Sequence, residues 1–95
     1  MKYSVGDLLL IKDIEYNAQF QLRPRLRHRR IRPRPCDYLR HELFNSYGIV
    51  TEAIKHSDLF EKGSTEKDNG YVWFSQIDSK EHFFYEDEVI GEVVE

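Results

Sequence analysis

Ninety-five residues with 40% hydrophobic and 14% aromatic side chains suffice for one small domain, which excludes a large enzyme pocket and a wholly disordered chain. The formal charge of −3 hides a division: eight arginines and all three prolines fall between Arg23 and Arg40, net plus seven with Asp37, while the other seventy-seven residues carry six lysines against sixteen acids, net minus ten. A single cysteine, Cys36, excludes an internal disulfide and a multi-cysteine zinc site, and a reducing cytoplasm is the simplest compartment.

The opening Met1–Asp7 has no long apolar run, and the four apolar residues Leu8–Ile11 fall far short of the roughly 20 that a membrane helix needs. A soluble intracellular product without a cleaved signal is expected, with no membrane partner. Gly6-Asp7 before Leu8-Leu9-Leu10-Ile11-Lys12 reads as a turn feeding a buried first strand, too short for a helix. The pattern weakens from Ile14 to Leu22.

From Arg23 to Arg34 the chain alternates. Arginines occupy 23, 25, 27 and 29, then slip in phase to 30, 32 and 34, with Pro24, Leu26, His28, Ile31 and Pro33 between them. Alternation favours a strand or a polyproline helix, and the prolines exclude a regular α-helix through most of the segment. Fully extended, a dozen such residues reach about 40 Å. Same-face guanidinium groups roughly 7 Å apart repel by about 0.6 kcal/mol per neighbouring pair in water, so an extended arm is expected. After Pro35-Cys36, Asp37 is a candidate cap for a short helix in which Leu39, Leu43 and Phe44 share one face and Asn45 is the stop.

Gly48–Ile54, within Ser46–Lys55, is β-branched and reads as strand two. His56–Asn69 mixes charge with Gly63, Ser64 and Thr65 and ends in Asp68-Asn69-Gly70, which predicts a flexible loop closed by a turn. Tyr71–Ser75 and His82–Tyr85, separated by Asp78-Ser79-Lys80, predict a hairpin of strands three and four. Glu86-Asp87-Glu88 predicts one helical turn, and Val89–Val94 a fifth strand interrupted by Gly91. The fold class expected is mostly β: a small five-stranded barrel in one domain, 1–95, built from 1–15 and 46–95, with the basic arm and one short helix inserted over 22–45.

Gly6–Ile11, Tyr47-Gly48-Ile49-Val50, Val72-Trp73-Phe74-Ser75 and Tyr85–Gly91 together resemble the small Src-homology-3-like (SH3-like) barrel proteins encoded by tailed bacteriophages, over roughly two thirds of the chain. The resemblance implies a non-enzymatic structural protein of the virion, made in the host cytoplasm. Relatives of that kind have a short loop after the first strand, whereas here some 35 residues intervene, and this departure marks the arm as the place where the chain's own function lies.

Candidate partner-binding residues are therefore Arg23, Arg25, Leu26, Arg27, Arg29, Arg30, Ile31, Arg32 and Arg34. A solvated tail is the plain alternative for any charge run. Arginine rather than lysine suits geometric docking, because the planar guanidinium forks onto carboxylates and phosphates and stacks on aromatic rings. Two partners fit: the acidic protein surface of neighbouring subunits, with Leu26 and Ile31 as apolar anchors, or nucleic acid. Eight neutralised phosphates would give a log–log salt slope of at most about 7. Glu86, Asp87, Glu88, Glu92 and Glu95 are the acids that identical copies would offer.

Cys36 with His28 and His41 matches no zinc spacing, so no metal or other cofactor is expected. Trp73 with Tyr71 reads as core rather than as a ligand-binding strip. Glu81-His82 and Glu86–Glu88 are the nearest approach to acid–base chemistry, but no candidate nucleophile or phosphate loop accompanies them and no enzyme is expected.

Overall fold

The computed structural model describes residues 1–14, 39–60, 62–63 and 68–94. They form a mostly β protein with one five-stranded antiparallel sheet and one short helix. The strands are β1 (Leu8–Ile14), β2 (Ser46–Ile54), β3 (Gly70–Ser75), β4 (Glu81–Tyr85) and β5 (Val89–Val93), and the helix is α1 (His56–Leu59).

The spatial order is β4-β3-β2-β1-β5. The sheet is not closed: β4 and β5 stand at its two edges with no ladder between them among the described residues. Three residues, Glu86–Glu88, nevertheless join these opposite edges, a span of at most about 14 Å. Such a short link requires the sheet to curl until its edges approach each other. Bulges sharpen the curl, one between Ile11 and Asp13 on β1 and one between Val50 and Glu52 on β2, since an extra residue in one strand bends it and increases its twist.

Inside the curl lies the main core: Tyr3, Leu9, Ile11, Leu43, Val50, Tyr71, Trp73, Phe84 and Val89. Alternation assigns these positions, Leu9 and Ile11 facing inward from β1 and Tyr71 and Trp73 from β3. Trp73 and Tyr71 are fully buried, as the reading of both as core requires, and the Trp73 Nε1–H donates to the Leu9 carbonyl at 3.3 Å. A second cluster, Ile54, Leu59, Phe60, Phe83 and Tyr85, packs with Val72. β4 alternates between the two clusters, Phe84 in the first and Phe83 and Tyr85 in the second, so it is buried on both faces.

Four local expectations are corrected. β1 runs on to Ile14, held there by pairing with Val89. The helix expected after Asp37 is, among the described residues, only a 3-10 turn over His41–Leu43. Leu43 is buried and Leu39 partly so, but Phe44 is exposed, because Phe44 is already extended and Asn45, at φ +56°, turns the chain straight into β2. Asp37 itself lies outside the described residues. The flexible loop expected over His56–Asn69 begins instead with α1, which buries Leu59 and Phe60 against Phe83 and Tyr85; its remaining described residues are Lys62, Gly63, Asp68 and Asn69. Finally, Glu86–Glu88 is a hydrogen-bonded turn rather than a helical one, closed by the Glu88 amide on the Tyr85 carbonyl at 3.0 Å.

The β3–β4 hairpin stands as expected. Asp78 Oδ1 accepts from the Lys80 amide at 3.1 Å, and Ser79 takes the left-handed conformation at φ +54°. Because Leu59 is fully buried and meets β3 at Gly70 and β4 at Phe83, Leu59→Ala is expected to cost about 2–5 kcal/mol. A urea titration followed by the fluorescence of the single tryptophan measures it through the lowered midpoint.

Candidate interaction surface

The nine candidate partner-binding residues, Arg23, Arg25, Leu26, Arg27, Arg29, Arg30, Ile31, Arg32 and Arg34, all lie outside the described residues, as do Cys36 and His28. What the structure places is the pair of points between which they run. On one side is Ile14, paired with Val89 at the end of β1. On the other is Leu39, whose amide donates to the Phe83 carbonyl of β4 at 3.0 Å. Both points sit at strands bordering the Glu86–Glu88 link, where the two edges of the sheet approach.

The acids proposed as a landing site for such a segment are largely engaged within the protein. Glu86 Oε2 accepts from the Tyr71 hydroxyl, from Asn69 Nδ2 at 3.3 Å and from the Lys2 amide at 3.3 Å. The Lys2 and Tyr3 amides donate to the Tyr71 oxygen at 3.1 and 3.3 Å, and Asn69 Oδ1 accepts from the His56 amide at 3.0 Å. One cluster thus ties the amino-terminal segment to β3, to the start of α1 and to the turn before β5. Burial, reinforced by the bond to Glu86, pushes the Tyr71 hydroxyl up to about 12. Burial works against the charge of Glu86, but the hydrogen bonds from Tyr71, Asn69 and the Lys2 amide and the nearby amino-terminal ammonium outweigh it and hold the carboxyl below its ordinary value.

Glu88 Oε1 accepts from the Tyr85 amide at 2.9 Å. Glu92 forms an ion pair with Lys12 across β1 and β5, which lowers its pKa. Glu95 lies outside the described residues.

The residues weighed for acid–base chemistry point in different directions. Glu81 is exposed, while His82 is fully buried with its Nε2 2.7 Å from Asp78 Oδ2, so this histidine braces the hairpin turn from inside. Sequence reasoning missed that pair because His82 and Asp78 look like ordinary turn-flanking polar residues until β4 twists the ring inward. Among the described residues no three potential metal ligands converge, and no helix is long and apolar enough to cross a membrane.

The outer face of the sheet carries a second feature that alternation alone does not reveal. Cross-strand partners share a face. Leu8 lies opposite Ile49, Ile49 opposite Phe74, and Phe74 opposite Glu81, while Leu10 joins Tyr47 to Glu92. Five apolar side chains from three strands therefore form one surface. Tyr47 and Ile49 are each 44% exposed and Phe74 38%, and Leu8 and Leu10 are half-buried. Nearby on the same sheet, Glu52 lies opposite Val72. Neither Glu52 nor Glu81 has an ion pair with a described residue. The signal in the sequence was Tyr47 and Ile49, large apolar residues on the face opposite buried Val50, beside Leu8–Ile11, which is apolar at successive positions.

Comparison of the chain with protein-family models, with curated proteins and with solved structures finds no match.

Proposed function

We propose that this is a non-enzymatic structural and interaction protein, a bacteriophage virion component with an SH3-like barrel body, whose segment Arg23–Arg34 docks on neighbouring subunits of a larger assembly. The observation that carries the reading is the segregation of charge: a window of net plus seven interrupts a sequence that is otherwise net minus ten. Two of its apolar members, Leu26 and Ile31, supply what phosphate binding does not need. The strand order β4-β3-β2-β1-β5 and the curl that brings its edges together support a small barrel as the body. An arginine-rich segment of this kind is suited to bidentate pairing with carboxylates, and a β surface with free carboxylates is a matching partner.

The test sets apolar against cationic substitutions. Leu26→Asp with Ile31→Asp is expected to abolish incorporation into the assembly. A set of Arg→Ala changes in the same segment is expected to weaken it progressively. The purified protein is expected to pass through immobilised duplex DNA at moderate salt. Retention there, with affinity that falls steeply with salt and depends on the arginines but not on Leu26 or Ile31, overturns the reading in favour of nucleic-acid binding.

A further inference from the structure

We infer that the outer-face surface formed by Leu8, Leu10, Tyr47, Ile49 and Phe74 is the docking site for the Arg23–Arg34 segment of a second copy of this chain. This rests on the reading above and names the place and the partner.

The sheet's two faces and two ends are treated differently. At the end near α1, the outer face is covered: Val72, Phe83 and Tyr85 lie under Leu59 and Phe60. At the other end, no described helix or strand lies over the five apolar side chains. Contiguous apolar surface of this kind, spread over three strands, marks an interaction site rather than the scatter of single exposed residues normal for a soluble protein. Two aromatic rings, Tyr47 and Phe74, supply flat surfaces of the sort on which guanidinium groups stack.

Charge selects the occupant. Glu81 borders the surface beside Phe74 and Glu92 borders it beside Leu10, with Glu52 further along β2. Glu92 already holds Lys12, but Glu81 and Glu52 have no described cation. A ligand that alternates guanidinium groups with apolar side chains meets both requirements, and Leu26 and Ile31 among seven arginines are such a ligand in this very chain. A second acidic copy packed face to face would instead bring Glu81 and Glu52 near their own counterparts, which costs energy through like-charge repulsion.

A photocrosslinking benzophenone amino acid in place of Ile49 tests the assignment in the full-length protein, using a mixture of isotopically light and heavy copies. Crosslinked peptides joining position 49 of one copy to residues 23–34 of another are the expected result. Crosslinks only to the same copy's own segment, or from position 49 to the same surface of another copy, overturn it. Sedimentation equilibrium supplies the second measurement. Ile49→Asp and Phe74→Asp, both on the surface, are expected to weaken self-association about tenfold or more while leaving the near-ultraviolet circular dichroism of the core unchanged. Glu81→Lys with Glu52→Lys is expected to weaken it severalfold. If Leu26→Asp with Ile31→Asp abolishes assembly while the Ile49 and Phe74 variants assemble normally, the docking site is wrong and the proposed function stands; if none of these changes matters, both fail.

Discussion

Gly48→Ala is expected to cost about 3 kcal/mol or more, a large share of the total for a domain of this size, whose stability is on the order of 5–14 kcal/mol. Gly48 is on β2, between Leu9 of β1 and Ser75 of β3. A Cβ there would overlap both the Phe74 carbonyl oxygen and the indole of Trp73. The first is backbone in the middle of a ladder and cannot swing away. The second is the largest fully buried side chain of the core and is anchored to the Leu9 carbonyl by its N–H. Overpacking a core by one methyl ordinarily costs about 1–3 kcal/mol, and here relief requires β2 and β3 to separate. Chemical denaturation followed by Trp73 fluorescence measures the loss, with Lys80→Ala in the exposed turn as the comparison expected to stay within about 0.5 kcal/mol. A Gly48→Ala protein as stable as the parent would mean that Trp73 does not lie across β2.

Stability should also respond to pH at two ends of the scale through the Tyr71–Glu86 cluster. Glu86 titrates lower in the folded protein than its ordinary value of 4.5. Its contribution is therefore fully present above about pH 4.5 and is lost as pH falls through the lowered folded value. Tyr71 moves the other way. With a folded pKa of about 12 against an ordinary 10, its contribution is fully present below pH 10 and is lost as pH rises from 10 towards 12. Glu86→Gln is expected to flatten the acid limb, and Tyr71→Phe to flatten the alkaline limb and to cost about 1.5–3 kcal/mol at neutral pH, the usual range for a hydrogen bond to a charged group. Thermal unfolding recorded from pH 3 to 11 reads both. Tyr71→Phe also removes the acceptor of the Lys2 and Tyr3 amides, and faster amide hydrogen exchange at Tyr3 is the expected sign of that loss.

These two expectations meet at one structural device, the short Glu86–Glu88 link between opposite edges of the sheet. Gly48 lets the middle strands close tightly around Trp73, and the Tyr71–Glu86 hydrogen bond ties the link to β3. Together they keep the curl that leaves Leu8, Leu10, Tyr47, Ile49 and Phe74 on the convex side, available to a partner.

All five strands were legible in the sequence because a strand's signal is local. Leu8–Ile11 declares itself as a short apolar run after the Gly6-Asp7 turn, and Gly48–Ile54, Tyr71–Ser75, His82–Tyr85 and Val89–Val94 through β-branched or aromatic content between turn residues, and Asp78-Ser79-Lys80 announces its hairpin through turn chemistry. Trp73 and Tyr71 were legible as core for the same reason. The charge division and the arginine segment were likewise visible without any coordinates. Decisions that depend on what lies across the sheet were not. Whether His56–Leu59 coils into a helical turn depends on Phe83 and Tyr85, which are more than twenty residues away and offer Leu59 its place to be buried. Whether Phe44 turns inward depends on how abruptly β2 begins. Glu86 reads in the sequence as one member of an acidic run, and only the approach of Tyr71 and Asn69 makes it a structural carboxylate. The exposed apolar surface exists because register sets Leu8, Ile49 and Phe74 side by side, and register is a relation between strands that no single stretch of sequence contains.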